Sequence, residues 1–339
     1  NGTQYWFRVS AVTAGGNGVA ANPVAVTPYT NPSAPLSLVA SPRDGEIGLT
    51  WSAPASDGGA TITDYQVETS SDGGATWTAT IPSTSGATAA TVTGLTNGVA
   101  ILIRVSAYNI AGWGSPTASV SAAAYKAPDA PSGLSGVGQD SSVLLSWTAP
   151  AANNGSPISG YKVERSIDGG VTWTTAIANT GNSGTNAVVT GLTNGTAYAF
   201  RVAAINAAGA GDPSASAAAT PRTTPSAPTA VTTTIGSGTV TVVWSAPISN
   251  GGAAISSYTV QRSTDGGVTW TTLATGISAT TYVDSGLTNG TTYVYRVIAN
   301  NVAGAGAPSA GVAAVPAAKP GAPTALVATG ASGSAVLSW

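Results

Sequence analysis

Four tryptophans divide this chain into equal lengths: Trp51, Trp147, Trp244 and Trp339 follow one another at intervals of 96, 97 and 95 residues. Other landmarks keep the same step. Paired prolines recur as Pro32/Pro35, Pro128/Pro131, Pro225/Pro228 and Pro320/Pro323, and the pentapeptide Gly-Leu-Thr-Asn-Gly begins at Gly94, Gly191 and Gly286. A solenoid turn is 20 to 50 residues long, so a period of this length is a whole domain with its own core. The chain is therefore read as a tandem array of similar domains.

Within one period the signals are those of strands. Val143, Leu145 and Trp147 alternate with Leu144 and Ser146, the two-residue period of a strand with one buried face. Ile158, Tyr161 and Val163 lead into a second such segment after Asn154-Gly155. A hairpin is expected at Asp168-Gly169-Gly170, and Tyr198, Phe200, Val202 and Ala204 alternate again. No stretch carries a helical period. Short strands punctuated by turns over about 95 residues predict a β-sandwich.

These residues resemble the fibronectin type III family. The resemblance rests on Pro-rich openings and on Trp51-Ser52-Ala53-Pro54, Trp147-Thr148-Ala149-Pro150 and Trp244-Ser245-Ala246-Pro247. Tyr-x-Val recurs at Tyr65/Val67, Tyr161/Val163 and Tyr258/Val260, and Gly-x-Gly loops begin at Gly112, Gly209 and Gly304. Leu192/Tyr198 and Leu287/Tyr293 match the family's tyrosine corner, whereas Ile101 replaces the corner Tyr in the first complete repeat. The resemblance implies all-β, seven-stranded immunoglobulin-like sandwiches in an extended rod, with Trp51, Trp147, Trp244, Tyr198 and Tyr293 in the cores. It divides the chain into a partial module at 1–29 (the last two strands), complete modules at 30–125, 126–222 and 223–318, and a partial module at 319–339 (the first two strands). Both ends fall inside modules. Asn1 is accordingly not expected to be a natural start, and the chain reads as a window on a longer repeating object. Strand donation between the two partial modules is a second route to such ends.

Ser-x-Asp-x-Gly-x-Thr-Trp occurs three times, at Ser70–Trp77, Ser166–Trp173 and Ser263–Trp270. It is similar to the Asp-box of sialidases, which raises the question of glycoside hydrolysis. The motif also describes a self-capping hairpin: Asp72, Asp168 and Asp265 accept turn amides, glycines supply positive φ, and Trp77, Trp173 and Trp270 cover the turn. A glycosidase needs two acids facing one another across a cleft. The three glutamates are Glu46, Glu68 and Glu164, and the last two occupy equivalent places in different modules. Histidine and cysteine are both absent, which removes the commonest general base, disulfides and thiolate metal sites. No enzyme activity, cofactor or metal is expected.

Only 7% of residues are charged and the net charge is −2, so no basic footprint for nucleic acid exists. No segment approaches the ~20 apolar residues of a membrane span. Arg8, Arg104, Arg201 and Arg296 recur on the corner-Tyr strand, where cross-strand pairing with Glu68, Glu164 or Gln261 competes with a ligand-binding stripe. Trp6 and Trp113 stand outside the repeat pattern and are the candidate interface residues, for contact with a partner or with an adjoining module. Sequons occur at Asn1, Asn154, Asn194 and Asn289, and the three in the repeated Asn-Gly turn (Asn1, Asn194 and Asn289) are explained by turn preference. The expected role is a structural segment of an extracellular or cell-surface fibre, stalk or adhesin shaft. Its expected partners are copies of itself or neighbouring modules, with surface glycans or proteins as further candidates. Spacer modules of a secreted polysaccharide-active enzyme, or a carbohydrate- or protein-binding adhesin, are the alternatives.

Overall fold

The computed structural model describes residues 1–339, and every regular element is a strand. The middle module illustrates the plan. Its strands run Ser132–Gln139, Ser142–Thr148, Gly160–Ser166, Thr174–Ile177, Asn186–Thr190 and Tyr198–Asn206, and the seventh is split into Gly209–Pro213 and Ala217–Ala219. The first, second and fifth form one antiparallel sheet; the fourth, third and sixth, with both pieces of the seventh, form the other. The modules on either side repeat this order.

The two sheets enclose the alternating residues. Val143, Leu145 and Trp147 meet Tyr161, Val163, Phe200, Val202 and Ala204 in one buried cluster, and equivalent clusters fill the other two sandwiches. Burial of this apolar surface, at ~25 cal/mol per Å², is the main force holding each sandwich together without disulfides. Trp51, Trp147 and Trp244 lie edge-on to Tyr65, Tyr161 and Tyr258, with ring centroids 5.6, 5.0 and 5.4 Å apart. Each of these indole N–H groups is buried without a hydrogen-bond acceptor.

Each first strand carries a bulge, between Leu36/Val39, Ser132/Ser135 and Thr229/Thr232. One residue of each bulge is left-handed: Ser37 (φ 53°), Gly133 (φ 62°) and Ala230 (φ 49°). Only the middle module uses the residue type suited to that conformation. In the Gly-x-Gly loops the second glycine is a matter of space. A Cβ on Gly114, Gly211 or Gly306 would lie 2.0 to 2.2 Å from the carbonyl oxygen of Pro32, Pro128 or Pro225. The loop between the last two strands thus lies directly on the entering chain.

At the ends of the chain, Tyr5–Phe7 pairs with Val24–Val26, and Val327–Ala331 pairs with Ser334–Ser338. Both hairpins are largely exposed.

Candidate functional site

The motif that recurs in every module builds the hairpin between the third and fourth strands. In the middle copy Asp168 accepts hydrogen bonds from the Thr172 amide (2.9 Å), the Val171 amide (3.1 Å) and the Ser166 hydroxyl (2.6 Å), and from the Thr172 hydroxyl. The Ser166 Oγ in turn accepts the Gly170 amide at 2.8 Å. Gly169 and Gly170 sit at φ 75° and 96°, a conformation costly for any residue with a Cβ. Trp173 folds back and donates its Nε1–H to the Gly170 carbonyl at 2.9 Å. Asp72 with Trp77, and Asp265 with Trp270, repeat the arrangement.

These bonds act on acidity. Bonds from the Ser166 and Thr172 hydroxyls and the Thr172 amide hold the Asp168 carboxyl well below the usual carboxylate range. Thr76 and Ser70 do the same to Asp72, and Thr269 and Ser263 to Asp265. A carboxylate fixed as an anion by its own turn is a poor proton donor, and its lone pairs are already committed.

The tryptophan of each hairpin carries a second layer. Arg104 lies over the Trp77 ring at 4.0 Å, Arg201 over Trp173 at 4.4 Å and Arg296 over Trp270 at 4.1 Å. The register places each arginine directly opposite Glu68, Glu164 or Gln261, and each donates Nε–H to that residue at 2.7 Å. Lys162 also reaches Glu164, at 2.6 Å; with Arg201 it lowers the Glu164 pKa. In the three complete modules the recurrent arginines are thus occupied by a cross-strand partner on one side and an indole on the other, whereas Arg8 is exposed. Because Gln261 serves as well as Glu, the layer does not depend on an ion pair.

Tyr198 and Tyr293 are buried, and their hydroxyls accept the amides of Thr193 (3.1 Å) and Thr288 (3.2 Å). Ile101 offers no such acceptor. Trp113 is 38% exposed, and its ring packs at a tilt of 57° against Tyr108 of its own module, with centroids 4.9 Å apart. Its carbonyl accepts Asn31 Nδ2 at 2.7 Å. Trp6 is 66% exposed, but Tyr5 and Phe7 beside it are exposed too, because nothing covers either face of that strand.

One buried cluster belongs to no repeated motif. Asp284, 6% exposed, accepts Tyr295 OH at 2.8 Å and Arg262 Nη1 at 2.9 Å. In the middle module the same two core positions are Val189 and Phe200. Burial and the Asp284 carboxylate together push the Tyr295 phenol far above its ordinary pKa. The paired change of Val to Asp and Phe to Tyr was the available clue. Asp129 and Asp212 line a shallow hollow of about 290 Å³ with Lys126 and Asn154. Asn154 Nδ2 donates to Asp129 at 2.9 Å, and the sister positions are Ser33, Ser115, Ser226 and Ala307. No group of three or more acidic, His or Cys side chains is placed to hold a metal. No helix is long and apolar enough to cross a membrane.

The family model for the fibronectin type III domain matches residues 32–123, 129–220 and 226–315. The chain belongs to the fibronectin type III family. Among its relatives, human Myomesin-2 is 32% identical over 230 residues, covering 64% of this chain and 16% of that protein. Exoglucanase B of Cellulomonas fimi is 38% identical over 196 residues, covering 55% of this chain and 16% of the enzyme. Drosophila melanogaster Titin is 28% identical over 293 residues, 82% of this chain and 2% of that protein. The chain thus spans a small part of the relatives it matches. A crystal structure of chicken CNTN1 FN1-FN3 domains covers 85% of this chain and 99% of its own length at 21% identity, with a TM-score of 0.37.

Proposed function

We propose that these fibronectin type III modules are a structural spacer: a segment of an extracellular fibre, stalk or adhesin shaft with no chemistry of its own. The observation that carries this reading is that, in the complete modules, the recurrent aspartates and arginines are consumed by the fold. The motif aspartates are saturated by their own hairpins, and the arginine stripe lies between tryptophan and Glu or Gln. What repeats from module to module is architecture, not a site. Low charge supports lateral packing into a filament, since isolated soluble domains carry more charge to resist association. Electron microscopy of the native material is expected to show rods with a repeat of roughly 30 to 40 Å per module, a strand of 8 to 10 residues (about 26 to 34 Å) plus the loops at its ends. Compact, monodisperse globular particles would refute the fibre reading.

The likeness to an exoglucanase favours a second setting for the same spacer, between the domains of a secreted polysaccharide-active enzyme. Sequence on either side of the segment separates the two: further near-identical modules support the fibre, and an adjoining hydrolase domain supports the enzyme. In either setting sialidase, chitinase and esterase assays on the purified segment are expected to show no turnover. Turnover abolished by Asp72→Asn, Asp168→Asn or Asp265→Asn would reverse the structural reading of the hairpins.

A further inference from the structure

Three times along the chain, the Asn-Gly turn of one module meets a glycine in the loop between the second and third strands of the next. A Cβ built on Gly155 would lie 2.4 Å from Gly98 N, one on Gly252 2.4 Å from Gly195 N, and one on Gly59 2.2 Å from Gly2 N. Real Cβ atoms do not approach backbone so closely, so only glycine fits at that position of the later module. At Gly98, Gly195 and Gly2 the fit is also tight, with an added Cβ 3.0 to 3.2 Å from the facing glycine Cα.

The connecting chain has no slack at these points. Gly98 N donates to Ala124 O at 2.8 Å and Tyr125 N to Arg43 O at 3.0 Å, both within the earlier module. The very next residue, Lys126, donates its amide to Asn154 O of the later module at 3.1 Å. Asn206, buried at the end of the sixth strand, then clamps Lys126 O (2.7 Å) and Asn153 O (2.9 Å) with one amide group. The following junction repeats every part. Gly195 N binds Pro221 O, Arg222 N binds Gln139 O and Thr223 N binds Gly251 O, while Asn301 Nδ2 binds Thr223 O and Asn250 O at 2.8 Å each. At the first junction Asn109 clamps Thr30 O and Asp57 O in the same way.

We infer that each of these three junctions is a rigid head-to-tail lock whose partner is another module of the same kind. The array is then one stiff rod, not a string of flexibly linked beads. Two features follow from the chemistry. The contact joins different faces of the two modules and does not close on itself, so repetition propagates in one direction without limit. The bonds that hold it are backbone amides and uncharged asparagines, so the lock is insensitive to salt and to pH near neutrality.

This inference rests on the spacer reading but fails separately from it, because a flexible array could also serve as a spacer. The chain has no cysteine, so Ser71→Cys and Ile167→Cys, at the exposed hairpins of adjacent modules, can carry the only two spin labels. The distance between them is read by pulsed electron resonance in the full chain. A single narrow distribution is expected, unchanged between low and high salt. Inserting Gly-Ser-Gly between Tyr125 and Lys126 is expected to broaden it towards ~10 Å, the reach of a three-residue flexible linker. Gly98→Ala is expected to shift or broaden the distribution. Gly290→Ala, at the same turn conformation (φ 83° against 84°) but with open space around it, controls for backbone strain in thermal melts and is expected to leave the distance unchanged. A distribution in the unmodified chain as broad as that of the insertion variant would overturn the inference. So would a Gly98→Ala distribution indistinguishable from that of Gly290→Ala.

Discussion

Asp284 presents the sharpest test at the level of single residues. Removing it by Asp284→Ala leaves the Tyr295 hydroxyl and the Arg262 guanidinium without their buried partner, a loss expected to cost about 3 kcal/mol. Replacing both core members together, Asp284→Val with Tyr295→Phe, recreates the pair found in the middle module and is expected to cost much less, because no hydroxyl or carboxylate is then orphaned in the core and only Arg262, whose side chain is 26% exposed, must turn to solvent. Hydrogen exchange on peptides of the third module distinguishes the two outcomes; equal losses in both variants would mean the triad's hydrogen bonds are not what holds that core. Trp147→Ala tests the core in the simpler sense. It empties the space between Val143, Leu145 and Tyr161 and is expected to destabilise its module by ~3 to 5 kcal/mol. The motif aspartates act through pH. Their folded pKa values lie below the unfolded value of about 3.9, so their contribution is complete above that value. It is lost as pH falls towards the folded pKa. The triple variant Asp72→Asn/Asp168→Asn/Asp265→Asn is therefore expected to flatten the fall in melting temperature below pH ~4. An unchanged acid limb would show that the hairpins do not set it.

At the scale of the element, the first-strand bulge is uneven across the array. Gly133 occupies its left-handed position at no steric cost, whereas Ala230 holds φ 49° with a Cβ. Ala230→Gly is expected to stabilise the third module by up to about 1 kcal/mol, since the native strain exceeds the entropy that glycine adds to the unfolded chain. A lowered melting temperature would mean that the entropy term wins. The hairpin layer makes a different point. Arg201→Ala removes both the stack on Trp173 and the bond to Glu164. About 1 kcal/mol is expected for so partly exposed a contact. Arg296→Ala, which faces neutral Gln261, is expected to cost nearly as much, because the stacking is shared and only the ion pair differs. A much smaller effect at Arg296 would assign the stabilisation to charge.

For the whole molecule, what matters is how sandwiches of modest size become one object. Each core is closed by its own two sheets, so a module owes its fold to none of its neighbours. The neighbours instead determine direction, through glycines that stand where any side chain would force the modules apart. Stiffness of this kind costs no charge and no disulfide, which fits a chain with 7% charged residues and no cysteine.

The sequence by itself determined the period, the sandwich and the buried positions. Alternation along a strand is local, and the tryptophan spacing repeats often enough to exclude other periods. Ser166, Asp168, Gly170 and Trp173 declared a hairpin because their bonds are made within eight residues. The tertiary structure alone decided which groups meet across long separations. Asp284 with Arg262, Arg201 with Trp173, and Gly98 with Gly155 are brought together by sheet-on-sheet packing, strand pairing and module contact respectively, and no local rule announces them. The Asn-Gly turns illustrate the division. Turn chemistry accounts for glycine there through its positive φ, but the tight packing of Gly98 and Gly195 has a second cause, a neighbouring backbone about 3 Å away. That cause exists only once two domains have folded and been set end to end.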